Sequence, residues 1–129
     1  MGVLVGVLRD QDQAFLDSLG CGLAVEVADG FLNLVLADFP TPGLDKDAVD
    51  LLLRLPFGFP DASPDMFWVA PALTANGVVI AGTEVTETYL GRSWQRWSRH
   101  IGGQWRPGVD NLETYLAYVR RALSLAGGN

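Results

Sequence analysis

One serine and one histidine, two residues apart, sit in the most unusual stretch of this chain. Trp94 to Pro107 reads WQRWSRHIGGQWRP and holds three of the four tryptophans together with the single histidine. Ser98 and His100 form an i, i+2 pair. In extended backbone such a pair points to one face, whereas in a helix the two side chains point nearly opposite ways. A serine hydroxyl is a weak nucleophile unless a base takes its proton, and His100 is the one imidazole able to do so. The alternative is a surface serine beside a histidine hydrogen-bonded into a lattice of arginine and tryptophan.

The same stretch is built to dock something. Arg92, Arg96, Arg99 and Arg106 lie there with no carboxylate between them. Thr88 to Val109 therefore carries four basic and no acidic residues (+4). The remaining residues carry five basic and fifteen acidic (−10), which gives the net −6. The four arginines either hold a partner's tail or acidic surface with their planar forks, or neutralise the carboxylates around them. Trp94 and Trp97 are either packing residues or partly exposed anchors of the kind enriched at binding hot spots. Stacked tryptophan and arginine would also suit single-stranded nucleic acid, but the acidic balance of the whole chain argues against that partner.

Bulk properties bound the remaining possibilities. At 129 residues, 49% hydrophobic and 19% charged, the chain fits one globular domain over residues 1–129, long enough to bury a core. One cysteine, Cys21, cannot form an internal disulfide, and one His with one Cys cannot assemble a standard zinc site. No metal and no cofactor is assigned. The N-terminal apolar run is too short for a signal peptide, and no stretch approaches the ~20 apolar residues of a membrane span. The expectation is a cytoplasmic protein with no membrane partner.

The elements that must position the stretch follow from periodicity and punctuation. Asp10 with Gln13 is a capping-box-like start, Phe15, Leu16 and Leu19 fall at helical spacing, and Gly20 is a stop; this predicts a helix over 11–19. Val3 to Leu8 before it reads equally as a strand or a loose start. Leu23, Val25 and Val27 alternate, Asp29-Gly30 marks a hairpin turn, and Phe31 to Leu36 is the second strand. Ala48 to Leu55 is poor in β-branched residues and reads as a strand or a helical turn, and its neighbours favour a third strand. PFGFPDASP (56–64) excludes helix and inner strand, and Met66 to Val69 is the fourth. From Ala72 to Gly91 the pattern weakens to loop or weak strand, with Asn76-Gly77 as a turn. Asp110 with Glu113 is read as the capping box of a C-terminal amphipathic helix carrying Leu112, Tyr115, Leu116, Val119 and Leu123. Two helices against one face of an antiparallel sheet make an α+β layer.

That order, with two motifs, resembles the ubiquitin-conjugating enzyme fold: N-terminal helix, four-stranded antiparallel meander, irregular active-site segment, C-terminal helix. The first motif is Leu53-Arg54-Leu55-Pro56-Phe57-Gly58-Phe59-Pro60-Asp61-Ala62-Ser63-Pro64, similar to the family's proline-rich turn. The second is Trp105-Arg106-Pro107 just before the last helix, where the family has Trp-x-Pro. WQRWSRH followed by WRPGVDNLETYL is more particularly similar to the bacterial branch called prokaryotic family E, over roughly 10–126. The resemblance implies a ubiquitin-like protein and an activating-enzyme-like protein as partners. A metalloprotease-type deconjugase would belong to the same pathway.

The resemblance also locates a departure. The family's catalytic cysteine lies about eight residues before the Trp-x-Pro tryptophan, a position that falls here on Trp97 and Ser98, with no cysteine and no His-Pro-Asn turn. Cys21 is far away in sequence and reads as a small hydrophobe. By position, Ser98 would be the nucleophile, carrying the modifier as an oxyester with His100 assisting; otherwise the domain is a non-catalytic scaffold. Trp105 is expected under the C-terminal helix. Phe57 and Phe59 resemble the family's loop for activating enzymes and ligases, or are structural. Asn76 could offer an amide to an oxyanion, although Asn-Gly is commonly just a turn.

Overall fold

The computed structural model describes residues 8–20 and 22–128. Cys21 and most of the Val3 to Leu8 run lie outside those residues. The element order is α1 (Asp10–Ser18), β1 (Leu23–Ala28), β2 (Phe31–Pro40), β3 (Ala48–Pro56), β4 (Phe67–Ala70), β5 (Thr86–Tyr89), β6 (Arg92–Trp97), a short 3-10 turn (Gly102–Gln104) and α2 (Leu112–Ala126). The α+β class and the expected helices and meander are present.

The sheet is larger than the expected meander. It has six strands in the order β1-β2-β3-β4-β6-β5, each neighbouring pair antiparallel. The addition is a hairpin, β5–β6, in the stretch read as loop or weak strand. Tyr89 pairs with Arg92 across Leu90 (φ 54°) and Gly91 (φ 75°), so both turn residues are left-handed. That is the primed two-residue turn whose twist suits a hairpin, reached here by Leu-Gly instead of Asn-Gly or Asp-Gly. The β1–β2 turn uses the same geometry at Asp29 (φ 56°) and Gly30 (φ 81°), where the sequence does announce it.

Strand alternation divides the sheet into two faces. Leu32, Leu34 and Leu36 of β2, Leu51, Leu53 and Leu55 of β3, Phe67 and Val69 of β4 and Trp97 of β6 join Leu16 of α1 and Tyr115, Leu116, Val119 and Leu123 of α2 in the main core. On the opposite face Leu52, Trp68, Ala70 and Trp94 form a second cluster, with Val35, Met66, Tyr89 and Leu90 packed against it. Without a layer of helices, that outer face is built from aromatics and arginines.

Two helix starts differ from the sequence reading. Arg9 is the N-cap of α1, with no side-chain cap, so Asp10 is the first helical residue instead of the cap. Gln13 donates to Asp17. In α2 the cap is Asn111 and its capping-box partner Thr114, one residue on from the expected Asp110 and Glu113. Asp110 is spent elsewhere, accepting from the Arg106 backbone N–H (2.7 Å) and guanidinium (3.2 Å) to close the turn ahead of the helix. A buried Asp12 of α1 accepts from the Leu112 N–H at 3.0 Å, capping α2 from a neighbouring helix. It satisfies one of the free N–H groups at that helix start.

Candidate functional site

Ser98 is the residue at which β6 stops. Through Trp97 the strand is locked: Phe67 pairs with Trp97 and their rings stack at 5.4 Å. Gln95 points into the core and binds both backbone groups of Leu73, accepting from its N–H (2.9 Å) and donating to its carbonyl (3.0 Å), while also accepting from the Trp97 indole (3.0 Å). One side chain thus ties the irregular 71–85 segment to the strand that ends at the site. Sequence inspection gave no weight to this glutamine, since a lone polar residue between tryptophans carries no signature.

At Ser98 the backbone turns. The Arg99 N–H donates to the Trp97 carbonyl at 2.9 Å, a three-residue turn centred on Ser98, and the Ser98 N–H donates to the Gly82 carbonyl at 2.9 Å. Gly82 fits there chiefly through its backbone, since the side-chain end that an added Cβ would meet can shift. Its φ is +82°, and a Cβ on it would stand 2.6 Å from Arg99 Nη1. The guanidinium so placed lies over the Trp97 ring at 5.1 Å.

His100 is exposed, and its Nδ1 is 2.6 Å from a carboxylate oxygen of Asp65, 35 residues earlier in the loop before β4. With Nδ1–H donating to Asp65, Nε2 is the ring nitrogen left as a base. Asp65 was not singled out from the sequence; one acid among fifteen offers no signal. Among the described residues no hydrogen bond joins Ser98 to His100, and Ser98 is half-buried. The strict i, i+2 geometry of an extended strand does not apply across the bend.

Two pockets adjoin this turn. One, about 310 Å³, is lined by Arg99 with Tyr118, Arg121 and the last turns of α2. Desolvation there raises the Tyr118 hydroxyl pKa above its usual value. The other, about 220 Å³, lies on the outer sheet face and includes Asp65, Arg54, Trp68 and Tyr89.

The remaining predicted residues divide by exposure. Trp94 and Trp97 are buried, as are Trp105 and Phe59, so their rings serve packing and none is a free anchor. Trp105 packs between Phe59 (5.9 Å, tilted) and Tyr115 of α2 (6.2 Å, edge-on) and donates to the Pro60 carbonyl, joining the proline turn to the last helix. Phe57, 63% exposed, is the aromatic of that turn which does reach solvent. Arg92 pairs with Asp50 (3.0 Å) and Arg96 with Glu87 (3.2 Å); Arg106 pairs with Asp110. Three of the four arginines therefore have an intramolecular carboxylate, and Arg99 has none among the described residues. Asn76 (φ 53°) and Gly77 form the expected turn, whose backbone N–H groups donate to the Asp45 carboxylate (2.9 and 2.8 Å). No group of three or more His, Cys, Asp or Glu is placed to hold a metal among the described residues. No described helix is long and apolar enough to cross a membrane.

A curled antiparallel sheet with both helices on one face defines a protein of the ubiquitin-conjugating-enzyme-like class. Its proline turn is clamped to a tryptophan just ahead of the last helix. Residues 8–126 match the family model described as Prokaryotic E2 family E, and the chain belongs to that family. No curated protein and no solved structure matches it. Membership gives the chain an E2-like role in a prokaryotic ubiquitin-like pathway, which in general involves a ubiquitin-like protein and an activating enzyme.

Proposed function

We propose that this chain, as one domain acting in the cytoplasm, receives the C-terminal acyl group of a ubiquitin-like protein on Ser98. The observation that carries the reading is the His100–Asp65 contact of 2.6 Å. It fixes the imidazole through Nδ1 and leaves Nε2 free two residues from a serine, at the position where the resemblance places the nucleophile. A base oriented by a carboxylate is what a hydroxyl nucleophile needs. In the step, Ser98 Oγ attacks the activated carbonyl carbon and its proton passes to His100 Nε2. The bond to the activating enzyme's leaving group breaks, and the proton is then delivered to that group. The modifier's tail would lie in the pocket lined by Arg99 or in the one lined by Asp65. Phe57 and Arg99 are the surface residues through which the activating enzyme and modifier would dock. A metalloprotease-type deconjugase would reverse the pathway's products.

The test mixes this protein with its ubiquitin-like partner, activating enzyme and ATP. The expected adduct resists thiol reductant, is cleaved by base and is absent in Ser98→Ala. An adduct that persists in Ser98→Ala contradicts the nucleophile assignment. A second reading, a scaffold that binds the ubiquitin-like protein without chemistry, is favoured by the missing Ser98–His100 hydrogen bond. Its outcome is a stable complex on gel filtration with no covalent adduct.

A further inference from the structure

The outer face of the sheet holds a cation that its own fold leaves incompletely matched. Arg54 leaves β3, and its guanidinium carbon lies 4.4 Å from the Phe31 ring centre and 3.9 Å from that of Tyr89, with Trp68 at 5.9 Å. Its side chain is only 9% exposed. A guanidinium has five N–H donors. Among the described residues one is used, Nε donating to Asn33 Oδ1 at 2.9 Å. The closest carboxylate, Asp29, is 79% exposed and stands 3.9 Å from Nη2, too far for a hydrogen bond. Its terminal nitrogens are not among the buried unpartnered atoms, so the outer end of the fork is open to solvent at the pocket.

The neighbouring polar groups are not vacant in this way. Glu87 accepts from Trp68 Nε1 (2.9 Å), the Tyr89 hydroxyl (3.3 Å) and Arg96 (3.2 Å). Asp65 is engaged by His100. Arg54 forms part of the wall of the 220 Å³ pocket, together with Phe31, Pro56, Met66, Trp68 and Tyr89. With Nε occupied and aromatic rings beside the guanidinium, the donors that can reach the pocket are those on the outer end of the fork. Two parallel end-on N–H groups match the two oxygens of a carboxylate. Glu87 and Asp65 in the same wall repel any anion and a dianion more strongly, which favours a singly charged carboxylate over phosphate.

We propose that this pocket is a carboxylate-binding subsite, in which Arg54 receives a carboxylate of a protein partner, either a chain terminus or an acidic side chain. Asp29 is the intramolecular competitor at its rim. The subsite does not depend on Ser98 acting as a nucleophile, so failure of the adduct experiment leaves it standing.

The test follows the Arg54 Nε–H and Trp68 indole N–H signals by nitrogen-15 NMR in the full chain. The probes are N-acetylglycine (a chain terminus), the α-amide of N-acetylglutamate (a side-chain carboxylate), N-acetylglycinamide and inorganic phosphate. Both carboxylates are expected to shift both signals saturably in the millimolar range, the tighter of the two naming the source, with no response to the amide. Asp29→Asn, which keeps a residue that tolerates positive φ, is expected to tighten carboxylate binding about 2–5-fold, the value of a lost exposed ion pair. It leaves Arg54 and its packing in place. Arg54→Lys, retaining charge but not the fork, should weaken binding at least tenfold. Absence of a saturable carboxylate shift in the unsubstituted protein, equal response to the amide, or tighter binding of phosphate would each overturn the assignment.

Discussion

Arg92 to Trp97 and Ser98 to His100 are adjacent in sequence and alike in composition, yet the fold treats them in opposite ways. The first is an interior strand, paired on both sides, with Trp94 in one core and Trp97 in the other. The second is a bend held by two backbone hydrogen bonds, one glycine and the His100–Asp65 contact. Tryptophan density suggested a docking surface along the whole stretch. The difference teaches that the tryptophans build a rigid platform, and that the groups available for chemistry begin where the strand pairing ends.

The sharpest way to break this contrast is to truncate one residue from each side of the boundary. Trp97→Ala removes a fully buried indole stacked on Phe67 and should cost about 3–5 kcal/mol in urea unfolding. Ser98→Ala, one residue on, should stay within about 0.5 kcal/mol. Equal losses would mean that the bend is part of the core. His100→Ala should slow adduct formation about 100-fold in quenched single-turnover assays, the scale of a lost general base, or about 2.7 kcal/mol. Asp65→Asn should give a smaller loss in the same direction, because it disturbs only the imidazole's orientation.

Gly82→Ala sharpens the comparison by acting on the bend from outside it. Positive φ should cost about 1–3 kcal/mol in thermal unfolding, and the added Cβ would also push the flexible end of Arg99 aside. Adduct formation should fall even at temperatures where the protein remains folded. The smallest effect is electrostatic. The Arg106 guanidinium and backbone N–H hold the Asp110 carboxyl below the usual carboxylate range. A carboxyl lowered on folding contributes stability above its unfolded value of about 3.9, and that contribution is lost as pH falls through the lower folded value. Asp110→Asn should therefore differ most from the unsubstituted protein at neutral pH and converge with it in acid. A difference that stays constant with pH would assign Asp110's role to shape alone.

The legible parts of the fold were those with local signatures. Asp29-Gly30 announced its hairpin, the proline turn and Trp105 announced each other, and α2 was visible in its apolar stripe. The β5–β6 hairpin was not. Its turn is Leu90-Gly91, and Thr86 to Tyr89 is an edge strand of polar residues without the alternation of a half-buried strand. Helix starts moved by one residue: α1 has Arg9 at its N-cap without a side-chain cap, while at α2 Asp110 went to Arg106 and left Asn111 to cap the helix. At the candidate site Ser98 and His100 were readable as a close pair. Asp65 and Arg54 were not, because their roles arise only when the loop before β4 and the outer face of β3 come beside the end of β6.

The most direct measurement is tandem mass spectrometry of the adduct formed with the ubiquitin-like partner, activating enzyme and ATP. The account predicts the modifier's C-terminal carbonyl on Ser98 as a base-labile ester. The chain offers one lysine, Lys46, and one cysteine, Cys21, as rival acceptors. A linkage at either of them, with Ser98 unmodified, would contradict it.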